Sequence, residues 1–387
     1  MFMKLVKPGS RDCPEFDMEA VDPEITDADR VRFSQVVSVE MAPWQVEQVL
    51  EPAQQPRQEA VLGVHWHPEF VPLDLIRKRI DKMFPNKSEE LLIPTQHNEL
   101  MSFGGYAGVE VDCYASGFNQ KVQLLLHFEA DRVQDAPVLR SMLAHTYKYR
   151  SSQLFEFMDT IIGPDRDRIG AAMRATGAET DLVEFVQAHV RKIAKLLDEQ
   201  WPDLPRISIK NKMLRNYFDS MRPELGEAPV NRIQAFLKAV KQLVKQGFSL
   251  KFFYRATEII EEARGLGGGI VIPHPEQFWP ILLADYDVDG YEVWNPQSQR
   301  YTEFLISVVN DKNARRGASR KPILVLMGDD CHMGEKTKLP EQQDADKAGR
   351  EIGIQPAWDD LAIRKQLIMT GISRRSAIAD YKARLAG

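Results

Sequence analysis

The stretch Ala60-Val61-Leu62-Gly63-Val64-His65-Trp66-His67 joins a short apolar run to two imidazoles one residue apart. Five small or branched apolar residues, preceded by the polar linker Glu51 to Glu59, read as a buried strand. At its end, period-2 alternation puts His65 and His67 on the same side, where they can hold one cation between them. The pattern recurs further along the chain. Asp330 and His332, in Gly328-Asp329-Asp330-Cys331-His332, follow the apolar strand Ile323 to Met327. His274 closes Ile270-Val271-Ile272-Pro273-His274-Pro275. Glu110 lies inside Gly108-Val109-Glu110-Val111, where apolar neighbours make an unpaired carboxylate costly and a metal is one way to pair it. Of the eight histidines, those at 65, 67, 97, 127, 274 and 332 fall at or just past strand ends, where ligands converge in α/β folds. Imidazoles and carboxylates without a cysteine pair suit Zn²⁺, Mn²⁺ or Fe rather than a structural cysteine site.

Around these motifs the chain alternates strand and helix. Ala60 to Val64, Leu91 to Pro94, Tyr106 to Tyr114, Lys121 to Phe128, Ile270 to Pro273, Gly290 to Asn295 and Ile323 to Met327 read as strands. Leu75, Ile76 and Ile80 recur at helical spacing, and the rhythm as a whole argues for α/β architecture. Between residues 131 and 249 it gives way to long amphipathic helices, one carrying Leu182, Phe185, Val186, His189, Ile193 and Leu196, another Ile233, Phe236, Leu237, Val240 and Leu243. His145 and His189 belong to this helical segment and are expected to be structural. The segment Arg191 to Lys245 carries an excess of basic side chains, read as solvated helix faces. The expected organisation is an extension over 1–60, a first α/β part over 61–130, a helical insertion over 131–249, a second α/β part over 250–335, and a tail over 336–387 with a helix near Leu361 to Met369.

The 387 residues carry 50 basic and 56 acidic side chains, a formal charge of −6, with 43% apolar and 27% charged residues. That is ordinary globular composition, without the basic excess of a charge-driven nucleic-acid binder. No apolar run is long enough to span a membrane, and Met1 to Asp12 lacks the apolar core of a secretory signal. Cys13, Cys113 and Cys331 are odd in number and far apart, which suits a reducing, cytoplasmic setting.

The order of motifs resembles the polymerase and histidinol phosphatase (PHP) superfamily of metal-dependent phosphoesterases. Its opening His-x-His is met by His65-Trp66-His67, its Thr-Asp-His by Thr95-Gln96-His97 with one change, and its Gly-x-Glu by Gly108-Val109-Glu110. A glycine-rich turn, strand and His-Pro follow as Gly267-Gly268-Gly269 to His274-Pro275. Gly-x-Glu-x-x-Asn is met by Gly290 to Asn295, and Gly-Ser-Asp-x-His by Gly328 to His332, departing at Asp329. The resemblance covers roughly residues 61–130 and 250–335 and implies a distorted (β/α)7 TIM-like barrel of PHP type, interrupted by the helical insertion. It also implies two or three divalent ions acting on a small phosphorylated substrate, a nucleotide among the candidates, through metal-activated hydroxide. On this reading Glu110 bridges; His65, His67 and Asp330 hold one ion, His274 with His127 a second, and His97 with His332 a third. Asp330, His332 and Glu110 are the catalytic set. Two family ligands lack clean counterparts: Glu69 or Asp74 stands for one, and Gln123, or His127 four residues on, for the other. Arg315, Arg316, Arg320 and Lys321 are expected to be solvated, with phosphate contact the alternative.

Two other readings bear on the same residues. A non-catalytic, regulatory metal-binding module of PHP type would keep the site without turnover. His67-Pro68-Glu69 also looks like the end of a glutamine amidotransferase triad, which needs a nucleophilic cysteine on a strand-to-helix elbow; Cys13, followed by Pro14, lacks that setting. The glycines at 265–269 precede a strand and lack Gly-Lys-Ser/Thr, so they read as a helix C-cap rather than a phosphate cradle.

Overall fold

The computed structural model describes residues 16, 21–163, 165–316 and 320–387. The chain divides into two compact units, one formed within Met1–Val39 and by Tyr149–Ser249, the other by Glu40–Lys148 and Leu250–Gly387. Residues 40–60 and 131–148, expected in the extension and in the insertion, therefore lie in the second unit, as does the whole tail. Among the described residues no helix is long and apolar enough to cross a membrane.

The first unit is helical. Thr180–Gln200 and Glu227–Gly247 are its long helices, and their apolar stripes bury Leu182, Phe185, Val186, Ile193, Leu196, Ile233, Phe236, Leu237 and Val240. His189 packs among Phe185, Tyr217 and Phe218, and burial pushes its pKa down to about 4. Helix Asp27–Val37 begins at Thr26, whose hydroxyl accepts from the Asp29 amide while the Asp29 carboxylate accepts from the Thr26 amide, a reciprocal cap. Asp29 then turns inward. Its carboxylate takes the Lys192 ammonium at 2.7 Å and the Tyr217 hydroxyl at 3.0 Å, with Asp29 and Lys192 both buried.

The second unit carries all the described strands. β1 (Ala60–Gly63) pairs in parallel with β3 (Glu89–Leu92), and β2 (Trp66–His67) pairs in parallel with β10 (Cys331–His332). Six more strands form one sheet in sequence order: β4 (Met101–Phe103), β5 (Tyr106–Ala115), β6 (Gln120–Glu129), β7 (Gly269–Ile272), β8 (Gly290–Trp294) and β9 (Leu324–Met327). β4 to β7 run antiparallel to one another; β7, β8 and β9 are parallel.

The architecture is thus mixed α/β, and among the described residues the strands do not close into the expected distorted (β/α)7 barrel. The described strands fall into three sheets. The reason is visible at residues 116–119, where β5 and β6 are joined by a tight turn with no crossover helix. Two long strands that meet in a hairpin must be antiparallel, which breaks the parallel βα repeat a barrel requires. Between the β1–β3 pair and the large sheet, the ladder is reduced to the single bridge His97–Glu110.

The tail holds two helices, Leu361–Met369 and Arg374–Ala386. The second buries Ala377, Ile378, Tyr381 and Leu385 in the same core as β6, β7 and β9. Asp329 adds a further tie. Its carboxylate accepts from the Gly353 amide at 2.6 Å and from the Gln355 side chain at 3.4 Å, and burial raises its pKa well above the ordinary value.

The Asp29–Lys192 pair gives a test of the helical unit. Removing one partner leaves an uncompensated buried charge, so Lys192→Met is expected to cost about 3–5 kcal/mol in urea unfolding. Burial raises the Asp29 pKa, but Lys192, Thr26 and Tyr217 outweigh it and hold it at about 2 against an ordinary 3.8. A depressed carboxylate stabilises fully above its unfolded pKa, so this contribution is lost as pH falls from about 4 through about 2. Lys192→Met should flatten the stability profile over that window, as read by circular dichroism.

Candidate metal centre

The candidate histidines and Asp330 lie at or beyond strand ends, and Glu110 sits inside β5. β1 ends at Gly63, and the chain re-enters pairing at β2, so His65 and His67 leave on one side as their spacing requires. His97 follows β3, and its bridge to Glu110 fixes both side chains near one point. His274 follows β7, while Asp330 and His332 follow β9. Four of these turns use left-handed backbone at non-glycine residues: φ is 52° at Glu69, 52° at Asn98, 28° at His274 and 43° at Asp330. Such conformations cost energy and collect at functional sites.

The result is a buried cluster of imidazoles and carboxylates. Glu110 Oε2 lies 2.9 Å from His97 Nδ1, 3.4 Å from His67 Nε2 and 3.8 Å from His65 Nε2. Asp330 Oδ1 lies 3.4 Å from His67 Nε2, 3.5 Å from His332 Nε2 and 3.7 Å from His65 Nε2. His67 stacks between His97 and His332, with ring centroids 4.4 and 4.3 Å away. Three groups could each hold an ion: His65, His67 and Asp330; His65, Glu110 and His274; and His67, His97 and His332, with the ligand atoms of each within 4.8 Å of one another.

Hydrogen bonding singles out the same atoms. Buried atoms without any hydrogen-bond partner include His65 Nε2, both nitrogens of His67, His97 Nδ1, Glu110 Oε2 and His274 Nδ1. Buried polar atoms are normally paired, and leaving one unpaired costs about 1–3 kcal/mol. Five residues, each offering one such atom, fit a bound cation, because a metal takes the lone pairs that no donor occupies.

The surrounding residues orient this set. His65 Nδ1 is 2.7 Å from Glu292 Oε1, which leaves Nε2 directed at Glu110 and Asp330. Glu292 also accepts from the His274 amide at 3.1 Å. Gly328 is required beside it, since a β-carbon there would collide with the Glu292 carboxylate. The second oxygen of Asp330 is held by Arg350 Nη1 at 2.6 Å and by the Gln297 amide. Glu69 Oε1 stands 3.6 Å from His332 Nδ1, and its other oxygen accepts from the Gly334 amide at 3.0 Å.

Charge follows the same geometry. Burial alone would lower the His65 pKa, but Glu292, Glu110 and Asp330 raise it well above its ordinary value. Burial would raise Glu110 and Asp330, yet the facing histidines hold both well below the usual carboxylate range. His67, buried and facing His332 and His97, falls to about 3 and is neutral, the form that ligates.

Not every expected residue joins the cluster. His127 does not: Nε2 donates to the Val64 carbonyl at 2.9 Å and Nδ1 meets the Tyr381 hydroxyl at 2.7 Å, so no lone pair is left for an ion. Strand alternation gave its side correctly but not its end. β6 runs antiparallel to β7, which pairs His127 with Gly269 at the start of β7, whereas His274 lies beyond that strand's carboxyl end. Gln123 donates to Asp112 at 3.1 Å, and Asp74 is exposed beside Lys78. Of the alternatives for a further ligand, Glu69 is the one beside the cluster. Arg316, Arg320 and Lys321 precede β9 and so lie at its opposite end from Asp330, where Arg320 pairs with Asp285; Arg315 is exposed. His145 meets the Lys251 carbonyl at 3.3 Å. The residues that sequence reasoning left without a role are Glu292, Gln297 and Arg350; only Glu292 carried a signal, as the acid of Gly290-Tyr291-Glu292.

No protein-family model matches the chain, and no curated protein matches it. Among solved structures, the chain is similar to a Bifidobacterium adolescentis protein provisionally named a metal-dependent phosphoesterase. The likeness has a TM-score of 0.37 at 17% identity and covers 81% of this chain and 97% of that one. So loose a likeness carries no argument about function, which rests on the geometry of the site.

The cluster separates ligands from bystanders experimentally. His274→Ala is expected to lower bound metal, whereas His127→Leu should keep full metal content by elemental analysis while losing about 1–3 kcal/mol for the unpaired Val64 carbonyl. Glu292→Gln should weaken metal binding about 10–100-fold in a chelator competition, as expected for loss of an orienting carboxylate.

Proposed function

We propose that the chain is a metal-dependent phosphoesterase of PHP type, hydrolysing a small phosphorylated substrate. One observation carries the reading: the groups His65–Glu110–His274 and His67–His97–His332 have no residue in common and can be filled together, while His65–His67–Asp330 overlaps both and lies between them. Positions linked in this way are adjacent, and adjacent divalent ions suit the in-line displacement of a phosphate ester. The all-nitrogen-and-oxygen donor set fits Zn²⁺, Mn²⁺ or Fe, two or three of them. Bound there, such ions would lower the pKa of a bound water and hold phosphate oxygens.

The protein's own residues do the rest. Glu110 from within β5, and Asp330 and the histidines from strand ends and the turns beyond them, supply fixed lone pairs. Glu292 holds His65 in the tautomer that leaves Nε2 free. His97 and His332 are the open side of the cluster, with side chains 27% and 14% exposed, while those of His65, His67 and Glu110 are at most 1% exposed. That side admits water and the phosphate group to the cluster.

Amidotransferase chemistry finds no nucleophile among the described residues. Cys113 and Cys331 are buried with thiol pKa values pushed up by burial, and Cys13 lies outside the described residues. His67, moreover, faces Glu110 and Asp330 in place of a cysteine.

The test is elemental analysis of the purified protein together with hydrolysis of 1-naphthyl phosphate in Mn²⁺ or Zn²⁺. The Asp330→Ala, His332→Ala double variant is expected to lose metal and to lose turnover by about 100-fold or more. Full metal content in that variant would overturn the ligand assignment. Metal with no turnover on any phosphate monoester would overturn the enzymatic reading in favour of an idle metal-binding module.

A further inference from the structure

Beyond Asp330 lies a cavity of about 640 Å³. Its walls come from the segments after β8 and after β10, so it opens at the carboxyl ends of the parallel strands, as the metal ligands do. Two of its lining side chains, Gln297 and Arg350, are the pair that grips the outer oxygen of Asp330, whose inner oxygen faces His65, His67 and His332. The cavity and the metal cluster are thus separated by one carboxylate.

We propose that this cavity receives the organic part of the phosphorylated substrate. The inference rests on the phosphoesterase reading and adds to it a place and a chemistry for the alcohol portion. A volume of this size suits a small-molecule site, which typically spans about 300–1,000 Å³ with apolar walls and a few polar groups. The apolar walls here are Trp294, Ile354 and Pro356, and the amides of Gln297 and Gln299 offer both donors and acceptors. The charged lining is Asp346 and Arg350, and Arg350 is committed to Asp330 at 2.6 Å. Among the described lining residues no cation is left over to neutralise a second phosphate. The group that fits is therefore uncharged, partly apolar and edged with hydrogen-bonding atoms. Esters bearing a second phosphate are disfavoured.

The geometry also assigns roles to Gln297 and Arg350. They are positioning residues, acting on the metals through Asp330 and on the substrate through the cavity wall.

Gly349 provides the test. It lines the cavity with φ −81° and ψ −5°, and a β-carbon added there meets nothing within 4 Å. Gly349→Phe therefore fills the cavity without straining the backbone, and Gln299→Trp fills it from the other wall. With full-length, metal-loaded protein, KM is measured for 1-naphthyl phosphate and the inhibition constant for inorganic phosphate. Calorimetry with non-hydrolysable 1-naphthylphosphonate gives a readout independent of turnover. Both variants are expected to raise the KM of the ester and the Kd of the phosphonate by about tenfold or more, the scale of losing one good contact region. Metal content and phosphate inhibition should stay within about twofold, because phosphate alone needs only the metals. If neither constant for the naphthyl ligands moves, or if phosphate weakens as much as they do, the cavity is not a substrate subsite. If the unmodified protein binds metal but turns over no phosphate ester, the phosphoesterase reading fails and this inference fails with it.

Discussion

The second unit is organised around carboxylates that burial cannot tolerate alone. Glu110, Glu292 and Asp330 are all at most 4% exposed, and Glu69 stands beside His332. Among the described residues, the one fixed cation touching any of the three buried acids within the cluster is Arg350 on Asp330. Desolvated carboxylates must be paired or protonated. Without a metal the histidines take that role, and His65 is driven to hold its proton. A divalent ion satisfies the acids and the imidazole lone pairs at once, taking the place of the protons that pair them otherwise. The unpaired nitrogens and oxygens lie where a divalent ion could take them together.

That geometry depends on how the strands stop. His65, His67, His274, Asp330 and His332 all leave short strands, and four nearby turns accept left-handed backbone. The orienting layer is assembled from further away. Glu292 comes from β8, Gln297 from the loop after it, and Arg350 from the tail. Tyr381 and Gln355, also from the tail, close the core below: the first engages His127, the second the Leu62 carbonyl at 2.6 Å. The tail is thus part of the unit that carries the site, and the helical unit stands on its own buried pair, Asp29 with Lys192.

Local patterning made much of this legible. Alternation at His65 and His67 identified a shared side, the apolar runs located seven of the strands, and the 3.6-residue stripes found the two long helices. What failed was information that periodicity does not hold. Nothing in the spacing of β5 and β6 distinguishes a hairpin from a crossover except the shortness of residues 116–119, and the barrel expectation passed over it. His127 was misplaced for the same reason, since its face follows from alternation but its depth follows from strand direction. The strands at Trp66–His67, Met101–Phe103 and Cys331–His332 are too short to show a period. Arg350 reaches Asp330 from 20 residues away and Glu69 reaches Gly334 from 265, contacts fixed only by tertiary packing. Asp329, the departure from the resembled motif, turned out to pin Gly353 and Gln355.

The most direct measurement is anomalous X-ray scattering from crystals of the metal-loaded protein, recorded on either side of the zinc, manganese or iron edge. Peaks are expected within bonding distance, about 2.0–2.3 Å, of His65 Nε2, His67, Glu110 Oε2, His274 Nδ1 and Asp330 Oδ1. A map with no anomalous peak there, and those atoms instead hydrogen-bonded to ordered water or to one another, would contradict a metal centre at these strand ends.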